Sequence, residues 1–274
     1  MIRYAGAVAR PVGELRAALT MLTRLPVAGQ ADVGNGARAF AIVGALVGLA
    51  GLVPLVGLGT LVPHAAAILA VAAMAILSGG LHLDGLADTV DALVAVGPDA
   101  AERARKDPAV GAGGAAALIL VLGLEVATLT LLVTGSGPLV AGVTCVVAGS
   151  ASRIVPVVLV RLAGARASAG GLGAWFAGRT TTADAAIAVA TGLLVAIGGG
   201  LATGLAVTIV GGLAIGAPPL LVGGLVGGIG GVGLGLGLVR ARNQLDGDLL
   251  GASVELAFAA TVLATAALAG WPSA

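Results

Sequence analysis

The chain has 274 residues, of which 58% are hydrophobic and 10% charged, with a mean hydropathy of +1.11 and a net charge of +1. A soluble domain carries about 25% charged residues, so the composition excludes a water-coated globule and points to a polytopic membrane protein. No nucleic-acid partner is expected, and the single cysteine, Cys145, excludes an internal disulfide and a cysteine metal cage.

Residues 1–38 are polar enough to lie outside the bilayer. Within them Leu15, Ala18, Leu19, Leu22 and Leu25 follow helical spacing, with Pro11 and Pro26 as boundaries. This predicts an amphipathic helix lying at the membrane interface. No apolar core ending in a cleavage site follows Arg3 and Arg10, so no removed signal peptide is expected. Apolar runs then span about 39–59, 65–81, 114–134, 139–160, 185–211, 220–239 and 250–270. A membrane helix needs about 20 residues, so the expected fold is an all-α bundle of about seven transmembrane helices in one domain, 1–274. Three polar excursions interrupt it, at 82–113, 161–184 and 240–248. Gly223, Gly227, Gly231 and Gly235 recur at every fourth position, which builds a groove that another helix can approach closely.

Of the 14 basic residues, 13 fall in the N-terminal segment and these three excursions. The remaining one, Arg153, lies inside the fourth run. Basic residues mark the cytoplasmic side, so all four polar segments are expected to face the cytoplasm.

The stretch Ser78-Gly79-Gly80-Leu81-His82-Leu83-Asp84-Gly85-Leu86-Ala87-Asp88-Thr89-Val90-Asp91 holds three of the 13 acidic residues within eight positions. In a helix, Asp84, Asp88 and Asp91 sit at i, i+4 and i+7 on one face. Like charges so placed call for a cation, and Mg²⁺ takes oxygen ligands while bridging to substrate phosphates. A second acidic segment, Gln244-Leu245-Asp246-Gly247-Asp248, opens the last helix on the same side. There an aspartate serves equally as a helix cap. Glu125, Arg153 and Glu255 lie at membrane depth, where charge is costly and marks function. Arg153 can pair with a carboxylate or hold a phosphate. Arg105-Lys106-Asp107 runs into Gly111 and Gly114 ahead of the third run, an arrangement able to cradle phosphate on backbone N–H groups. His82 titrates in a useful range and is a candidate base. Carboxylates, Mg²⁺ and basic residues together suit phosphoryl transfer.

The segment Gly79-Gly80-Leu81-His82-Leu83-Asp84-Gly85-Leu86-Ala87-Asp88-Thr89-Val90-Asp91 resembles the signature of the cobalamin synthase family, the adenosylcobinamide-GDP ribazoletransferases. Thr23-Arg24-Leu25-Pro26-Val27, Lys106-Asp107-Pro108-Ala109-Val110-Gly111, Gly171-Leu172-Gly173 with Phe176, and Gly247-Asp248-Leu249-Leu250-Gly251-Ala252 with Glu255 agree in order. The resemblance implies a Mg²⁺-dependent, multi-pass enzyme of the bacterial inner membrane. It would join adenosylcobinamide-GDP to α-ribazole, or its 5′-phosphate, and release GMP. Carried onto this sequence, it implies Asp84, Asp88, Asp91, Asp246 and Asp248 as metal ligands. His82, Asp84, Lys106, Asp107 and Arg153 would be catalytic, and Gly111, Gly114 and Gly251 would bind the phosphates. Lipid surrounds such a protein, and oligomers are compatible with it. The alternatives are a membrane phosphoalcohol transferase acting on another nucleotide-activated alcohol, and a transporter using Glu125, Arg153 and Glu255 as an ion path.

Overall fold

The computed structural model describes residues 3–27, 35–107, 109–163, 171–209 and 217–270; side chains of 3–10, 98, 105, 106, 207–209 and 217 lie outside the description. Every regular element among the described residues is helical. In order these are α1 (Arg3–Leu22), a 3-10 turn (Ala37–Ala39), α2 (Phe40–Leu58), α3 (Pro63–Ser78), α4 (Leu81–Val94), α5 (Pro98–Lys106), α6 (Ala112–Ser136), α7 (Pro138–Leu162), α8 (Gly171–Arg179), α9 (Thr182–Ile209), α10 (Ala217–Arg242) and α11 (Gly247–Ala269).

Six helices are long and apolar enough to cross a membrane alone: α2 with its preceding turn, α6, α7, α9, α10 and α11. The seventh expected span is α3, which has 16 residues and reaches membrane length only together with α4, at a bend of 92°. The bend falls at Gly79 and Gly80, whose φ angles of 66° and 69° lie in the left-handed region that glycine tolerates. The Gly80 N–H bonds back to the Ala75 carbonyl and the Gly79 N–H to that of Ile76, closing α3 as a glycine-capped helix end. Arg24 seats the bend: its N–H donates to the Leu77 carbonyl, and its side chain lies against Gly79.

The excursion 82–113 is therefore more than a polar loop. α4 packs against α11 and α6 and buries Leu86, Ala87, Thr89 and Ala92. Its amphipathic spacing gives it one face for the bundle and another for its carboxylates.

α7 is the most enclosed span and packs against α2, α11, α9 and α10. Gly44 and Gly48 of α2 lie on the α7 backbone at Gly149 and Cys145. The glycine groove of α10 receives α11 as the sequence predicts, with Gly223, Gly227 and Gly231 against Thr265, Thr261 and Ala257. Small residues let helices approach where lipid offers no hydrophobic drive to associate. Cys145 is fully buried there. α1 begins well before Pro11, which lies inside it. Its Ala18 and Leu22 join Phe40, Val43 and Leu245 in a core at the α4 end of the bundle, while Leu15 and Leu25 remain exposed.

Candidate active site

The two acidic motifs meet because their glycines let two helices cross backbone to backbone. Gly85 of α4 lies on α11 at Asp248 and Gly251, and the Gly251 side faces the backbone of His82 and Gly85. The crossing opens onto a cavity of about 370 Å³ lined by His82, Asp84, Asp246, Asp248 and Gly251. Gly171 and Gly173 at the start of α8, and Gly247 at the start of α11, complete the polar wall. Met21, Leu22, Phe40, Pro156 and Phe176 form an apolar wall opposite. Two helix N-termini thus open on one chamber, each with backbone N–H groups that carry partial positive charge.

The carboxylates divide their work. Asp84 is exposed to the cavity. Asp246 caps α11 by accepting the Leu249 N–H at 3.0 Å, and it also receives Arg242 Nη2 at 2.9 Å. Asp88, one turn beyond Asp84, is half-buried and does not line the cavity. Asp91 lies further away: its two oxygens accept the N–H groups of Gly111 at 2.7 Å and Gly114 at 2.8 Å. The backbone donors expected to cradle a phosphate are thus bonded to a side chain of α4, and Asp91 ties α4 to the start of α6. Among the described residues no three Asp, Glu, His or Cys side chains gather as a metal-binding group. The five aspartates do not form a single ligand shell.

Asp107 is exposed, accepts the Ala109 N–H at 3.0 Å and does not line the cavity. The Lys106 side chain lies outside the described residues. Arg153 is 4% exposed and faces Glu125 and Glu255 inside the bundle, not the cavity.

Residues 14–266 match the family of cobalamin-5-phosphate synthases. The chain belongs to this family. Proteins named adenosylcobinamide-GDP ribazoletransferase are similar to it. That of Nocardioides sp. is 35% identical over 206 residues, 75% of this chain and 74% of the relative. That of Azorhizobium caulinodans is 38% identical over 199 residues, 65% and 74% of the two chains. That of Xanthobacter autotrophicus is 42% identical over 137 residues, 45% of this chain and 51% of the relative, so there the match spans about half of the curated protein. No solved structure matches the chain.

Several contacts that shape the site in this cobalamin-5-phosphate synthase family member have no local sequence signal. Phe40 and Phe176 stack at 5.1 Å and seat α8 over the cavity. Asn35 Nδ2 donates to Thr180 Oγ1, and Arg38 pairs with Asp184, which caps α9 through the Thr181 N–H. Only the rarity of phenylalanine, three in the chain, hints that each has an assigned place.

Proposed function

We propose that this chain is an adenosylcobinamide-GDP ribazoletransferase, a transferase of cobalamin biosynthesis. It would move the adenosylcobinamide phosphate from adenosylcobinamide-GDP to α-ribazole or α-ribazole 5′-phosphate and release GMP. The observation that carries this is the single cavity in which the His82–Asp84 motif, the Asp246–Asp248 motif and the Gly171–Gly173 turn converge.

The chemistry is an in-line displacement at phosphorus. A ribose hydroxyl of ribazole forms a new O–P bond to the cobinamide-linked phosphorus as the diphosphate bridge breaks, and GMP leaves with that bridging oxygen. The helix N-termini at Gly171 and Gly247 would orient the diphosphate through backbone N–H groups. His82, at the cavity wall, would take the hydroxyl proton. The apolar wall of Met21, Leu22, Phe40, Pro156 and Phe176 suits a large, partly apolar substrate and limits water.

Mg²⁺ fits the donor set as an ion shared with substrate. It commonly takes one or two carboxylates plus substrate phosphate oxygens rather than an all-protein cage, and Asp84 and Asp248 would supply those carboxylates. Bound there it would neutralise charge on the departing phosphate. The protein would sit in the bacterial inner membrane with the cavity on the cytoplasmic side. The clustering of Arg24, Arg38, Arg161, Arg179, Arg240 and Arg242 in the polar segments supports that orientation.

Purified protein in lipid, given adenosylcobinamide-GDP, α-ribazole and Mg²⁺, should release GMP and form the joined corrinoid. Absence of GMP release with both substrates present would refute the reading.

A further inference from the structure

Next to His82, charged side chains from three helices come together: Glu125 of α6, Arg153 of α7 and Glu255 of α11. With Ser78 and Phe258 they line a partly open void with about 20 Å³ of room for water, separate from the substrate cavity. Glu125 and Arg153 are 2% and 4% exposed. Arg153 Nη1 donates to Ser152 Oγ at 2.9 Å. Its Nε, and Oε1 of Glu125, are buried without a hydrogen-bond partner among the described residues.

Two facts of physical chemistry bear on this void. A buried polar atom without a partner is costly, and more so when its group is charged. An internal water needs roughly 10–15 Å³ and two to four polar neighbours. The void meets the size, and the donor Nε, the acceptor Oε1 and the second carboxylate supply the neighbours. His82 links this layer to the cavity. The residue lines the cavity, while its buried Nδ1 faces Glu255 Oε1 at 3.9 Å and has no hydrogen-bond partner among the described residues.

We propose that one ordered water fills the void and joins Glu125, Arg153 and Glu255 into a network, which makes Glu255 a positioning residue that holds the His82 ring at the cavity wall. The inference rests on the cavity being the reaction site. Fixing Glu255 from behind fixes the only carboxylate that faces Nδ1 among the described contacts. The 3.9 Å separation exceeds a hydrogen bond, and such contacts at catalytic sites commonly tighten when substrate arrives. None of the three charged groups lines the cavity, so none is itself catalytic.

The test uses the full chain in lipid, with GMP release as the assay. Glu255→Gln should lower kcat about 10- to 100-fold, by analogy with the loss of a carboxylate that orients a metal-bound histidine, with KM within about twofold of wild type. Glu255→Asp should recover part of the loss. His82→Ala with Glu255→Gln should be no slower than His82→Ala alone, since the two act as one unit. Wild-type kcat in Glu255→Gln, or losses that multiply in the double variant, would overturn the proposal. Where Glu255→Gln does not accumulate, Glu125→Gln carries the same kcat-only expectation, and a wild-type kcat overturns it. A high-resolution structure should show water density among Glu125, Arg153 and Glu255, and a dry void would remove the network. Failure of the wild-type protein to release GMP is a separate result, which sinks the functional reading before any variant is compared.

Discussion

Gly85 of α4 rests on the backbone of Asp248: a methyl group built on Gly85 would stand 2.6 Å from the Asp248 carbonyl oxygen and 3.1 Å from the Gly251 Cα. Neither neighbour is a flexible side-chain end, so Gly85→Ala must push α4 and α11 apart. The overpacking should cost about 1–3 kcal/mol. Because the crossing sets the relation of Asp84 to Asp248, GMP release should fall further than thermal stability does. Gly57, which has nothing within 4 Å of such a methyl group, is the control. Gly57→Ala should leave activity intact and stability unchanged or slightly higher, as helix propensity dictates.

Asp84 and Asp91 lie on the same helix yet should fail differently. Asp84→Ala should leave the protein inserted and as stable as wild type while abolishing Mg²⁺-dependent GMP release. Asp91→Ala removes the acceptor of the Gly111 and Gly114 N–H groups. It should cost about 0.5–2 kcal/mol, the range for losing a helix N-terminal cap, and show as a lower unfolding temperature. A chelator added to wild type should reproduce the Asp84 phenotype and not the Asp91 one. Equal loss of stability in both variants would contradict this division.

Arg242 and Asp246 form an ion pair with side chains 9% and 7% exposed. Arg242→Ala takes the guanidinium away from a buried carboxylate, and removing one partner of a buried ion pair costs about 3–5 kcal/mol. Arg38 pairs with Asp184 from a side chain that is 42% exposed, so Arg38→Ala should cost about 1 kcal/mol or less. Thermal unfolding in one lipid composition ranks the two.

Glu14 on α1 gives a pH dependence. Burial raises its pKa above the ordinary carboxylate value, against the opposing pull of the Gly36 N–H and Arg38. A raised folded-state pKa means that the folded protein holds this proton more tightly than the unfolded chain does. The stability it confers is complete below the ordinary value of 4.5 and is lost as pH rises through the raised one. Glu14→Gln should therefore flatten the fall in unfolding temperature as pH rises above 4.5. An unchanged slope would assign the pH dependence to other groups.

The spans were legible because a run of apolar residues has few ways to be satisfied other than crossing lipid. α2, α6, α7, α9, α10 and α11 fall within a few residues of their apolar runs. The convergence of Asp84 with Asp248 was legible through the sidedness of the basic residues. What hydropathy could not give was the course of 82–113. Its polarity reads as a loop, yet Gly85, Leu86, Ala87 and Thr89 form a buried stripe that only shows once α11 is in place. The same limit applies to Asp91 and Arg153. Carboxylates that cap a distant helix and carboxylates that hold an ion look alike in a string of letters. The direction in which buried Arg153 points depends on Glu125 and Glu255, which lie on two other helices.

The brevity of α3 has a consequence for the surrounding lipid. Sixteen helical residues rise about 24 Å, less than the roughly 30 Å of a typical hydrocarbon layer, and the chain turns sideways at Gly79 instead of continuing. Leaflets beside this helix must dimple inward to match it. Bilayer thickness thereby becomes a variable of turnover, with shorter acyl chains relieving the mismatch and longer ones loading it onto the Gly79–Gly80 corner.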